Sequence, residues 1–198
     1  MSPTVKFEEK MRKILEEGIN LLWSNGYHAT SVNDIVKAAG IPKGSFYHYF
    51  DSKEDFVIKA LEIYFERQFG PVKEIIKAPG ISPRQRLLNF YQNRLDVMKR
   101  EMNCTKGCMA SNLASEVAEH SESVRTTLLL HHKTIIDLIS EVIAEAQSEG
   151  EVNNTINARD LAEFIEDAGK GAMTSMKEMN DAYPLDNHFQ MVKNHLLI

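Results

Sequence analysis

A chain of 198 residues, 43% hydrophobic and 26% charged, is long enough to bury a core without disulfide staples, and its two cysteines, Cys104 and Cys108, are too few for a disulfide framework. No apolar run approaches the ~20 residues a bilayer span needs, and the opening MSPTVKFEEKMRK lacks the apolar block of a secretory signal, so a cytoplasmic protein without a membrane partner is expected. The net charge of −5 speaks against nucleic acid only as a sum: residues 1–60 carry eight basic and eight acidic side chains, so the acidic excess lies wholly in the remainder and a DNA contact belongs to the neutral N-terminal part.

Helical periodicity runs through the whole chain. Phe7, Met11, Ile14, Leu15, Gly18 and Leu22 recur at spacings of three and four, and Asn25-Gly26 ends that helix with a residue suited to the left-handed cap. Ser31 caps a short helix over about Val32–Ala39, with Asp34 at its third position and Ile35, Val36 and Ala39 facing inward. Gly40 breaks it, and Pro42 opens another short helix through about Tyr49. Ser52 caps a longer helix carrying Phe56, Ala60, Ile63 and Tyr64, which Gly70-Pro71 interrupts or bends and Ala78-Pro79-Gly80 ends. Ser82-Pro83-Arg84-Gln85 reads as a capping box before Leu88, Tyr91, Leu95, Met98 and Met102. Helices follow from about Cys108, from about Ser121 to near Gly150, over about Asn157–Met179, and from Pro184 to about Leu197. No useful stretch alternates with period two, so the expected class is all-α, with about nine helices.

Two short helices joined by a glycine turn, with a third helix before them, make a helix-turn-helix unit, whose second short helix enters the major groove. In PKGSFYHY, Phe46, with Phe50 just beyond, can anchor the segment inward while Lys43, Gly44, Ser45, Tyr47 and His48 face out to phosphates and base edges. Lys53 can reach a phosphate. The Thr30 hydroxyl, with Ser31 and the free N–H groups of the helix it caps, can hold another.

The stretch GYHATSVNDIVKAAGIPKGSFYHYFDSKEDF resembles the DNA-binding domain of the TetR family almost position by position. Gly26, Thr30, Ser31, Ile35, Val36, Ala39, Gly40, Ile41, Pro42, Gly44, Phe46, Tyr47, Phe50, Ser52, Lys53, Glu54 and Phe56 stand where that pattern requires them. The resemblance implies a three-helix DNA-binding domain at 1–51 and an effector-binding and dimerisation domain at 52–198. It also implies that Lys43, Tyr47, His48 and Lys53 contact a double-stranded operator, and that the regulator is a repressor. Tyr49 fits the pattern too, at a position where histidine is common in the family.

The same resemblance assigns the later helices to effector binding and dimerisation, so a homodimer through about 157–197 is expected, with Ala168, Gly169, Gly171 and Ala172 allowing close approach. Two copies would read half-sites one helical turn apart, or a multiple of it. The stretch GCMASNLASEVAEHSESVR resembles the N-ethylmaleimide reductase repressor subgroup, which makes Cys108, with Cys104 near it, a candidate electrophile sensor. From the residues alone, Cys108 in a first helical turn beside Lys106 is equally a small buried hydrophobe. An apolar effector is the other possibility, with Tyr91, Leu95, Met98, Met102, Met109, Leu113, Phe164, Met173 and Met176 as candidate cavity walls or as plain core.

No cofactor is implied. His131 and His132 diverge around a helix and do not chelate together, which leaves only a weak Cys104–Cys108–His120 metal alternative. A protein-only helical adaptor and a cysteine-based enzyme stay open, although the chain has no Ser-His-Asp signal and no glycine-rich phosphate loop.

Overall fold

The computed structural model describes residues 3–101 and 104–198, all helix and connecting loop. The helices are α1 (Pro3–Asn25), α2 (Val32–Ala39), a 3₁₀ helix (Lys43–His48), α3 (Lys53–Ile76), α4 (Pro83–Glu101), α5 (Met109–Val117), α6 (Glu122–Ser148), α7 (Ala158–Met179) and α8 (Tyr183–Met191), the last running into a π-helical turn at Val192–Leu196. The chain divides into two compact units, residues 1–67 with 109–129, and residues 68–108 with 130–198.

The first unit is built on α1. Its Ile14, Leu15, Ile19 and Leu22 are buried, as are Ile35, Val36 and Ala39 of α2. Ser31 and Asp34 form a complete capping box: the Asp34 N–H donates to Ser31 Oγ at 3.2 Å and the Ser31 N–H to Asp34 Oδ2 at 2.9 Å. Phe46, Phe50 and Phe56 pack with ring centroids 5.0–5.8 Å apart. α1 can lie against this cluster because Gly18 has no side chain; a Cβ there would stand 2.1 Å from Phe56 Cζ. From α5, Met109, Leu113 and Val117 complete the unit's core.

The second unit packs α4, the C-terminal parts of α3 and α6, and α7 with α8. Val72, Ile76, Leu87, Phe90, Ile136, Ile139, Ile143, Ile165, Met176 and Val192 are buried. Its chain end is fastened by Arg84, whose Nε donates to the Leu197 carbonyl at 2.5 Å and whose Nη2 donates to that of Lys193 at 3.1 Å.

Three details depart from the sequence reading. The segment after Pro42 is a 3₁₀ helix, closed by Ser45 N–H to the Pro42 carbonyl and Tyr49 N–H to that of Phe46, both 2.9 Å. Six residues that include glycine and three aromatic side chains favour the shorter repeat over an extended α ladder. Gly70-Pro71 does not interrupt α3, because burial of Val72 and Ile76 one turn later outweighs one missing backbone bond. Only half of the expected capping box forms at α4: the Gln85 N–H donates to Ser82 Oγ at 3.4 Å, but the Gln85 side chain turns to Asn89.

Candidate DNA interface and effector cavity

The segment between α2 and α3 separates its side chains cleanly. Phe46 and Phe50 are buried, while Lys43, Gly44 and His48 are exposed and Tyr47 is 59% exposed. Ser45 is half-buried. One exposed edge therefore carries a cation, a bare backbone position, a phenol and an imidazole, the set needed to meet phosphates and base edges. The Phe7 ring of α1 leans on this edge, 5.5 Å from the His48 ring and 4.8 Å from that of Tyr49. Tyr49 is half-buried against it.

Thr30, Ser31 and Lys53 are engaged within the protein. Thr30 is fully buried, and its hydroxyl donates to the Gly26 carbonyl at 2.7 Å, closing the end of α1. It is not placed to offer that hydroxyl to a phosphate. Ser31 is exposed, but its oxygen caps α2 and bonds Asp34 Oδ2 at 2.6 Å, which holds the Asp34 carboxyl below its usual range. Lys53 Nζ donates to the Tyr27 carbonyl at 2.6 Å and sits 4.0 Å over the Tyr27 ring. Burial pulls the Lys53 pKa down, with the Glu116 and Asp34 charges opposing.

In the second unit a cavity of about 40 Å³ is walled by Tyr91, Arg94, Leu95 and Met98 of α4, Gly169 and Met173 of α7, and Leu185, His188 and Phe189 of α8. Arg94 Nη1 donates to both oxygens of Glu166 at 2.8 Å. Desolvation opposes the Arg94 charge, and Glu166 overrides it and holds the guanidinium above its ordinary pKa. The His188 Nε2–H donates to the Ile165 carbonyl at 3.0 Å, and burial lowers the ring's pKa.

Of the wall residues proposed from sequence, the structure brings together Tyr91, Leu95, Met98 and Met173. Leu113 and Met109 pack in the first unit, Met176 is buried in the second unit without lining the cavity, and Met102 lies outside the described residues. Phe164 is 61% exposed and does not line the cavity, because it lies on the side of α7 opposite the cavity residue Met173. Cys104 and Cys108 are half-buried and are not joined in a disulfide. Cys104 has a left-handed backbone (φ 58°), and Cys108 stands one residue before α5, not in its first turn.

The exposed residues of α7 and α8 include four large apolar side chains among polar ones such as Asp160, Asp167, Glu178 and Gln190. Phe164, Met179, Tyr183 and Met191 are exposed, and Gly171 faces open space.

Residues 14–60 match the family model for bacterial regulatory proteins of the tetR family, and residues 83–192 match that for tetracyclin repressor-like C-terminal domains. The chain belongs to the TetR family of transcriptional regulators. It is 29% identical to the HTH-type transcriptional repressor DhaR of Mycobacterium sp. (strain GP1), over 93% of this chain and 90% of DhaR. It is 27% identical to the repressor NemR of Escherichia coli (strain K12), over 91% and 90%. The crystal structure of reduced E. coli NemR superposes with a TM-score of 0.85 at 26% identity, covering 94% of this chain and 96% of NemR. These relatives are repressors, and this TetR-family chain is a regulator, not an enzyme. No helix among the described residues is long and apolar enough to cross a membrane.

Sequence reasoning missed the polar half of this TetR-family cavity, Arg94 and His188 with Glu166 behind them. A signal was present. Glu166 interrupts the apolar run of Leu161, Ala162 and Ile165, and His188 sits beside Phe189 on an otherwise inward-facing helix. A charge on an apolar stripe needs a partner, and Arg94, one turn after Tyr91, is that partner.

Proposed function

We propose that this protein is a homodimeric repressor that reads a palindromic operator with the exposed edge Lys43–His48 and is released by an effector acting on residues 52–198. The observation that carries the DNA-reading role is the separation of buried Phe46 and Phe50 from exposed Lys43, Tyr47 and His48. A solvated aromatic and an imidazole on a short glycine-containing helix contribute little to stability, and they suit a groove. Residues 1–51 serve as the DNA-binding part, and α7 and α8, which expose Phe164, Met179, Tyr183 and Met191, join two copies. The protein acts in the cytoplasm, where its operator lies.

Two effector routes are supported by separate observations: the cavity of the second unit, and the thiol of Cys108. Cys108 stands where the chain passes from the second unit into the first, immediately before α5. A covalent change there falls directly before α5, whose Met109, Leu113 and Val117 belong to the core of the first unit. A hundred-fold loss of operator affinity requires only about 2.7 kcal/mol of differential stabilisation between two states.

The test is gel-shift binding to the DNA flanking the protein's own gene, with and without N-ethylmaleimide, with Cys108→Ser alongside. Binding abolished by the reagent only in the unsubstituted protein establishes the thiol route. Binding indifferent to the reagent leaves the cavity as the effector site, and absence of operator binding overturns the repressor reading.

A further inference from the structure

The apolar stripe of α1 runs on past the core. Ile14 and Leu15 are 1% and 2% exposed, whereas Phe7, two turns earlier on the same side, is 36% exposed. Its ring covers the end of the DNA-reading segment. The ring centroid lies 5.5 Å from that of His48, with the planes at 80°, and 4.8 Å from that of Tyr49, with the planes at 31°. The His48 and Tyr49 rings in turn meet edge to face, 5.3 Å apart and at 80°. Three rings from two helices are therefore pairwise neighbours at the surface, and His48 is the member that belongs to the exposed reading edge.

Edge-to-face contacts are directional, because the positive rim of one ring sits against the negative face of the other. An exposed side chain that nothing holds samples several rotamers, and ordering it on binding costs affinity. An imidazole flanked by two rings has met that cost before DNA arrives. The aromatic core of the unit is Phe46, Phe50 and Phe56, which pack on one another. A partly solvated ring gains less from burial than these do. What distinguishes the place of Phe7 is the pair of reading-segment rings beside it.

We infer that Phe7 is a positioning residue for DNA reading: its ring, together with that of Tyr49, holds the His48 imidazole in the orientation in which it meets the operator. The start of α1 thus tunes recognition through the segment Lys43–His48. The inference deepens the proposed DNA-reading role and rests on the place of His48 in it.

The experiment is a double-mutant cycle on the full-length protein. Phe7→Ala, His48→Ala, the double substitution and Phe7→Tyr are titrated against the operator duplex defined by footprinting the DNA that flanks the protein's own gene, at salt low enough for all to bind. Phe7→Ala is expected to lower affinity roughly three- to ten-fold per half-site, the cost of ordering one side chain on binding. It should lower it no further once His48 is alanine, and Phe7→Tyr, which keeps the ring, should restore it. In the free protein the His48 Cε1–H proton resonance, identified by its loss in His48→Ala, should move in Phe7→Ala and return in Phe7→Tyr. A loss of the same size with and without the His48 side chain is what a purely structural role gives, and it overturns the inference. So does an affinity that Phe7→Ala or His48→Ala leaves unchanged, or a His48 resonance that Phe7→Ala does not move. Footprinting that finds no operator for the unsubstituted protein overturns the DNA-reading role itself, whereas an additive cycle removes only the part assigned to Phe7.

Discussion

The Glu116 carboxylate of α5 accepts the backbone N–H of His28 at 3.1 Å and occupies the space directly over Gly26, where a Cβ would stand 2.1 Å from Glu116 Oε1. The His28 ring Nε2 also lies 3.3 Å from the Glu116 carbonyl. The loop leading into the DNA-binding helices is thus clasped by the helix that follows Cys108. Gly26 has φ 81°, a conformation that favours glycine, so Gly26→Ala adds backbone strain to loss of the clasp. The expected cost is about 1–2 kcal/mol of stability in thermal unfolding, with a drop in operator affinity. Glu116→Ala should lower affinity with a smaller stability loss.

Lys43 and Lys53 should behave differently despite their equal charge. Lys43 is exposed, whereas Lys53 is bonded to Tyr27. Lys43→Ala is expected to weaken operator binding and reduce the slope of log K against log salt by about 1, with the melting temperature unchanged. Lys53→Ala should lower the melting temperature as well, since it removes the tie between α3 and the Tyr27 loop. An unchanged melting temperature for Lys53→Ala would contradict the assigned contact.

Thr30→Val replaces a buried hydroxyl that serves the Gly26 carbonyl with a methyl group of similar shape. The carbonyl then loses a donor, and a destabilisation of about 1 kcal/mol in urea unfolding is expected. Operator affinity, measured where both proteins are fully folded, should change little, because that hydroxyl faces inward.

Acid should destabilise the second unit through His188. Burial, and then the Arg94 charge, hold its pKa below 6.5, against the Ile165 carbonyl and Glu166, and burial alone lowers that of His131. As the pH falls through 6.5 the unfolded chain takes up these protons before the folded one, so stability decreases with falling pH. Stability is intact well above 6.5, declines towards the lower folded value and levels off beneath it. The melting temperature should therefore fall between pH 7.5 and 5.5, and His188→Gln, which keeps a donor for Ile165, should reduce that fall.

Phe164→Glu places a charge where α7 exposes a large apolar side chain. Sedimentation should then report a monomer where the unsubstituted protein is a dimer, with helical content unchanged because the residue contributes nothing to the monomer's core. Operator affinity should fall with the loss of the second half-site contact.

Most of the helices were legible because burial imposes a period on the sequence. Ile14, Leu15 and Leu22 declared α1, and the capping box of Ser31 and Asp34 marked the start of α2 to the residue. The pattern from Gly26 to Phe56 was specific enough to identify the DNA-binding domain and the family, since its glycines, caps and aromatic anchors answer local demands that recur wherever that backbone is built.

What local pattern could not convey was pairing across the chain. That Lys53 is bound to Tyr27 and that Arg94 meets Glu166 depends on residues 26 and 72 positions apart. Period tells which side of a helix is buried, not which other helix covers it. Met98 and Leu113 therefore looked alike as wall candidates, yet one borders the cavity and the other packs in the first unit. Phe164 belonged to an apolar stripe by composition, and only the packing of α7 left it facing outward. The sequence determined the helices, their caps and the family, because each rests on neighbours along the chain. The tertiary structure decided which polar groups are already satisfied and which remain to be satisfied by DNA, a ligand or a second copy, because partners such as Lys53 and Tyr27 or Arg94 and Glu166 meet only when the chain folds.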